Sequence, residues 1–306
     1  MTVLVTGATG NVGRLVVRGL ADRTRVRAMT RDPAKASFPD GVEVVRGDLD
    51  DPGGIPFDGV DKLYLFAHPP TAQRVVDLAV RAGVRRIVTL SSGAVTHGYD
   101  RTHHLPVEQA VEASGVAWTH VRPGEFAVNK VDLWAPSIRA DGTIVHPNPD
   151  EFGQPIHEAD VADVAVAALL EDGHDGKAYT LSGPAPLTQR EMARAIGEVL
   201  GRELRFADVT VEQALAYYVS VGWPEEIARY VLGLGGYEGG DADDFSDYEF
   251  AVEPDFETVT GRPYRTFAAW ARDHAVDFGG SSIDVPAGDA RRGGPGAVSG
   301  DRQDGG

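Results

Sequence analysis

The chain has 306 residues, 42% of them hydrophobic, which suits one large α/β domain or a domain with a smaller lobe. Its 46 acidic against 29 basic residues leave a formal net charge of −17, an unfavourable balance for direct binding of nucleic acid, whose phosphates need a basic face. The absence of cysteine excludes disulfides, thiolate nucleophiles and cysteine-based zinc sites, and no apolar run approaches the roughly 18 residues of a membrane span. With a strand beginning at residue 2 and no leader before it, the expected location is the cytoplasm.

Thr2–Thr6 is β-branched and apolar, the pattern of a buried strand. Gly7, Gly10 and Gly13 follow at a spacing of three, and Leu15, Val16 and Leu20 then share one helical face. Strand, glycine turn and helix together predict a dinucleotide cradle. Glycines let the backbone turn tightly and approach a pyrophosphate, while the helix N-terminus offers unpaired N–H groups and the positive end of its dipole. Thr9, Asn11 and Val12 lie within the same turn and are expected to touch the cofactor.

Further strands are predicted at 25–30, 42–46, 62–67, 86–90 and 117–122, with helices at 71–82 and 106–114 between them. This alternation predicts a doubly wound parallel sheet of Rossmann type, with ligands at the carboxyl ends of the strands. After about residue 123 the repeat stops. Asp160 is read as the cap of a helix, Lys177–Leu181 as a strand, and Thr188 with Glu191 three residues on as a capping box. A strand at 204–209 and helices at 211–221 and 224–232 follow. The expected organisation is a cofactor-binding core over 1–146, completed by parts of 155–182, a smaller substrate lobe mainly over 147–278, and a disordered tail over 279–306. The acidic stretch Glu238–Glu249 reads as a solvated loop.

The end of the second strand reads Thr30-Arg31-Asp32-Pro33. An acidic residue at this point would hold the ribose 2′-OH of NAD, whereas Arg31, assisted by Lys35, can pair with a 2′-phosphate and favours NADP. The alternative is a surface cation followed by a capping aspartate, and a shift of one residue in register reverses the preference. Asp48 and Leu49 after the third strand are placed to accept from the adenine amino group and to pack on its ring. Phe66, Ala67 and His68 end the fourth strand where the backbone should pass the cofactor. A metal reading of His157, Glu158 and Asp160 is set aside, since their spacing suits a helix entry better. Trp118, Phe126, Trp134 and Phe152 are expected to form core or pocket wall.

Taken in order, Gly7-Ala-Thr-Gly-Asn-Val-Gly13, Thr30-Arg31-Asp32-Pro33, Gly47-Asp48-Leu49, Ser91-Ser92-Gly93-Ala94, Val121-Arg122-Pro123 and His157-Glu-Ala-Asp-Val-Ala-Asp163 resemble the NmrA-like branch of the atypical short-chain dehydrogenase/reductases, including its NAD(P)H:quinone-reductase-like members. The resemblance covers roughly residues 1–275. It implies NADP as cofactor, with NAD possible, and a nicotinamide lying against Ser91 and the loop that begins at Pro123. It also exposes a departure. The superfamily's usual proton-transfer pair, a Tyr followed four residues later by a Lys, is missing. When Glu108 is matched to the glutamate that often follows that lysine, Asp100 and His104 fall on the two positions. Tyr99 and His104 are the candidate proton donors, with His103 beside them.

The leading expectation is hydride transfer from NADPH to a quinone, enone or ketone, an apolar or aromatic small molecule. A non-catalytic sensor of the NAD(P) redox balance and a non-redox isomerase or cyclase on the same fold are the alternatives.

Overall fold

The computed structural model describes residues 1–236, 238 and 250–281. Most of the acidic stretch 238–249 and the tail from residue 282 lie outside the described residues. In chain order the elements are β1 (Thr2–Val5), α1 (Gly13–Ala21), β2 (Arg25–Thr30), β3 (Glu43–Arg46), β4 (Lys62–Phe66), α2 (Ala72–Arg81), β5 (Arg86–Leu90), α3 (Gly93–Thr96), α4 (Leu105–Glu112) and β6 (Ala117–Pro123). There follow α5 (Asn129–Asp141), β7 (Thr143–Ile144), β8 (Phe152–Gly153), α6 (Glu158–Leu170), β9 (Lys177–Leu181), β10 (Leu187–Thr188), α7 (Gln189–Leu200), β11 (Arg205–Phe206), α8 (Val211–Ser220), α9 (Glu225–Val231), α10 (Asp255–Thr260) and α11 (Phe267–Asp273).

Seven strands form one parallel sheet in the order β3-β2-β1-β4-β5-β6-β9. The order reverses at β1, which pairs with β2 on one side and β4 on the other, so a crevice opens above the carboxyl end of β1. The doubly wound fold expected from the alternation is present. Residues alternate between two covered faces, as period two requires. Val3, Val5 and Tyr64 pack with α1 and α6, while Leu4, Leu63 and Leu65 pack with α2 and α4.

The lobe has its own core of Trp134, Ile138, Met192, Ile196, Tyr218, Trp270 and Phe278. It draws α5 and β7 from before residue 147, whereas Phe256 of α10 packs into the core cluster beside α6. Two small ladders, β8 with β10 and β7 with β11, tie the lobe together. Thr188 makes the expected reciprocal capping box with Glu191 at the start of α7. The strand expected over 204–209 shrinks to Arg205–Phe206.

Two expectations are corrected. The cap of α6 is His157, whose Nδ1 accepts from the Ala159 N–H at 3.1 Å. Asp160 lies inside the helix, fully buried, because the Arg265 guanidinium and backbone N–H claim its carboxylate. Phe152 is not core: it is 54% exposed, against a fully buried Trp134. Among the described residues no helix is long and apolar enough to cross a membrane.

Candidate dinucleotide site

A cavity of about 600 Å³ opens at the carboxyl ends of β1, β2, β4 and β5. Its first wall is the glycine turn, where Gly7, Thr9, Gly10, Asn11, Val12 and Gly13 all contribute. Gly7 sits at φ +57, a left-handed conformation that favours glycine, and its N-terminal neighbour strand is held by Thr6, whose hydroxyl and N–H both reach the Tyr64 carbonyl at 3.0 Å. A side chain on Gly13 would collide with the Gly7 carbonyl oxygen, so α1 can approach β1 this closely only with glycine there. No side chain caps the N-terminus of α1, which leaves that end open to the cavity.

The second wall comes from β2 and β3. Met29, Thr30, Arg31, Asp48 and Leu49 line it. Asp32 does not: its carboxylate stands 3.1 Å from the Lys35 ammonium, outside the cavity. Lys35 therefore pairs with Asp32 rather than standing in the wall beside Arg31. At the opposite end stand Phe66, Leu90, Phe126, Val128 and Asn129, mostly apolar, with His68 held 2.9 Å from Asp50. Tyr64 forms part of the wall between them, and its hydroxyl is buried with no hydrogen-bond partner. Burial raises that phenol far above its ordinary pKa, so it is a neutral donor.

Ala67, Ser91 and Pro123 lie at strand ends but do not line this cavity. Ser91 is buried and donates to Glu108 at 2.5 Å. Glu108 also receives the fork of Arg122, at 2.9 Å from Nε and 2.5 Å from Nη2. Burial works against ionisation of Glu108, but the Arg122 and Ser91 bonds hold its carboxyl below the usual range. His120, fully buried beneath this pair and stacked on Trp118, is pushed down to about 4 by desolvation and is neutral. Glu108, Glu112 and His120 bring ligand atoms within 4.8 Å of one another, yet Glu108 is already satisfied by a cation.

Tyr99 and His104 also stand outside the cavity wall. The buried Asp100 carboxylate accepts from the backbone N–H groups of His103, His104 and Leu105 at 2.9–3.2 Å and lies 2.6 Å from His104 Nδ1. Asp100 and His104 are thus engaged at the start of α4. Burial lowers the His104 pKa against the pull of Asp100. Tyr99 is half-buried, with its ring 6.2 Å from that of His97.

Sequence reasoning missed Tyr64, Val128 and Asn129. Tyr64 was accessible from pattern alone, since period two puts it on the same sheet face as Phe66. A second polar cluster was also missed: Glu158 lies 2.7 Å from His274 Nε2 and 3.4 Å from His157 Nδ1, and His274 Nδ1 lies 2.7 Å from Asp277.

The model of the NAD(P)H-binding family matches residues 7–172, more than half of the chain, including the glycine turn and α1. The chain belongs to the NAD(P)H-binding family. Its fold is also that of NmrA, a negative transcriptional regulator solved with NADP, which superposes with a TM-score of 0.65 at 17% identity over 89% of this chain and 94% of that one. It is 38% identical over 286 residues to the (4-alkanoyl-5-oxo-2,5-dihydrofuran-3-yl)methyl phosphate reductase of Streptomyces griseus, covering 90% of this chain and 99% of that protein. It is 34% identical to the NAD(P)H azoreductase of Xenophilus azovorans, again over 90% of this chain and 99% of that one. The NADPH complex of the quinone oxidoreductase QOR2 from Escherichia coli superposes with a TM-score of 0.67 at 25% identity, over 89% of this chain and 99% of that one. The residues present fit a bound dinucleotide of the NAD(P)H-binding family: the cradle has no room for side chains at Gly7 and Gly13, a cation stands at the end of β2, and one buried hydroxyl in the wall lacks a partner.

Proposed function

We propose that this chain is an NADPH-dependent oxidoreductase acting on a small, flat, apolar or aromatic acceptor: a quinone, an enone or a ketone. The observation that carries the cofactor preference is Arg31 in the cavity wall, with the neighbouring Asp32 turned to Lys35. A guanidinium there suits a 2′-phosphate, and a carboxylate there would repel it. The glycine turn and the N-terminus of α1 are assigned to the pyrophosphate, and Asp48 and Leu49 to the adenine. Ala67, Ser91 and Pro123 are assigned to the nicotinamide end, where Ser91 acts through the strand ends it fixes. The reductase relatives support the reaction class, and the azoreductase and quinone reductase among them support an aromatic acceptor.

When bound, the reduced nicotinamide supplies a hydride. The chain's part is to hold and orient: Phe66, Leu90 and Phe126 offer apolar walls on which a flat ring can rest. Tyr99 and His104 are assigned proton delivery for a simple ketone. A conjugated acceptor needs less help, because water can protonate the product after hydride delivery. A sensor without turnover is the second reading, favoured by Asp100 and His104 being engaged with each other and with the start of α4.

The deciding experiment mixes purified protein with NADPH or NADH and a panel of quinones, enones and ketones while the absorbance of the reduced cofactor is followed. Turnover with at least one acceptor, faster with NADPH, is the expected result. Tight binding without turnover on any acceptor would replace the enzyme with the sensor, and failure to bind either dinucleotide would remove both readings.

A further inference from the structure

Tyr64 lies in the middle of β4, opposite Val5 on β1 and Val88 on β5, at a position where Phe, Leu or Ile would fill the core equally well. Its side chain is 1% exposed and packs in the cluster that includes Val12, at the entry to α1. A hydroxyl buried there with no partner costs the free protein stability, and such a group in a native structure calls for an explanation in a ligand or an ordered water. Two facts point to the ligand. Tyr64 is among the residues that line the cavity, with its hydroxyl buried behind the surface of that wall. The Tyr64 backbone is also tied to the glycine turn, because the N–H and the hydroxyl of Thr6, one residue before Gly7, both donate to its carbonyl.

We propose that the Tyr64 hydroxyl is a cofactor-binding group that donates a hydrogen bond to the pyrophosphate of the dinucleotide. This rests on the cofactor assignment above. The backbone N–H groups of a glycine turn approach a pyrophosphate from one side only. A neutral phenol on the neighbouring strand adds a further donor, and in an apolar setting it gains its partner only when the cofactor arrives. The contact is indifferent to the 2′-phosphate and to the redox state of the nicotinamide. Its signature is therefore opposite to that of Arg31, which discriminates between the two dinucleotides.

The test is Tyr64→Phe, which removes one oxygen and leaves the packing. Affinities for NADPH, NADH and ADP-ribose are measured by calorimetric titration on the full chain, and the Tm of the ligand-free protein is measured beside them. The expected result is a loss of about tenfold or more for all three ligands, with the NADPH-to-NADH ratio unchanged and the free-protein Tm equal to or above that of the unmodified chain. ADP-ribose carries the pyrophosphate without the nicotinamide, so a loss confined to the whole dinucleotides would overturn the assignment. Affinities within twofold of the unmodified chain, or a lowered Tm of the free protein, would also overturn it, since the hydroxyl would then serve an internal water. The unmodified chain is the control that separates the two ideas. If it binds no dinucleotide the cofactor reading fails; if it binds and the variant binds equally, only the role of Tyr64 fails.

Discussion

At the end of β2 two residues of opposite charge compete for one position. Which of them enters the cavity wall is decided by where the strand stops: β2 ends at Thr30, the residue paired with Arg46, and Arg31 follows directly into the wall. Asp32 is then carried past it to Lys35. The glycine spacing made the cradle legible from sequence, because the turn is local and its steric demand is set within seven residues. The sequence favoured Arg31 over Asp32 and left the register open, because the register depends on the pairing of β2 with β1 and β3. For Tyr64 the strand pattern shows the face it shares with Phe66, but not that its hydroxyl is buried without a partner. Arg31→Asp is expected to weaken NADPH by about 10- to 100-fold, the loss of a charge-assisted contact, and NADH by much less. Fluorescence titration with both cofactors checks this, and equal losses would refute the assignment of Arg31.

Between β5, α4 and β6, three elements meet through one carboxylate. Glu108 projects from α4, Ser91 ends β5, and Arg122 lies on β6. The network fixes the strand ends that border the cavity, which is how Ser91 can matter without standing in the wall. Glu108 is 1% exposed and Arg122 is largely buried, so removing one partner strands the other. Glu108→Ala is expected to cost about 3–5 kcal/mol of stability, read by urea unfolding, and Glu108→Gln less, because it keeps an acceptor for Ser91. Helix existence and type were readable here from apolar spacing. The start of α4 was read to within one residue, but the contacts that fix such starts lie outside the apolar pattern: Asp100 starts α4 from within a loop, and His157 rather than Asp160 starts α6 because Arg265 takes the aspartate.

For the molecule as a whole, the joint between the sheet domain and the C-terminal segment is ionic. Glu158, at the entry of α6, faces His157, His274 and, at 3.9 Å, Arg14, while His274 is braced by Asp277 and His157 by Asp273. Burial alone would lower the His274 imidazolium, but Glu158 and Asp277 hold its pKa above the ordinary 6.5. Burial would likewise raise Glu158, but the two histidines hold it below its ordinary 4.5. The raised histidine contributes stability that is full below about pH 6.5 and is lost as pH rises through its folded value; the depressed glutamate contributes above about pH 4.5 and is lost on acidification. The joint is therefore strongest between these limits. The Tm difference between the native chain and His274→Asn is expected to be largest near pH 5–6 and to shrink toward pH 9; a difference that grows with pH would contradict it. Nothing in the sequence pairs residue 158 with residue 274, because their meeting depends on how the chain returns after the lobe.

Asp100 carries a consequence for redesign of the molecule. A tyrosine at this position would place a phenol in the loop before α4, but it would also withdraw the acceptor on which the N–H groups of His103, His104 and Leu105 depend. With the start of α4 undone, Glu108 and the strand ends it gathers would lose their anchor. No single exchange at residue 100 installs a phenol there without damaging the start of that helix. Redesign of the site therefore has more freedom in the apolar walls and the lobe than at this loop.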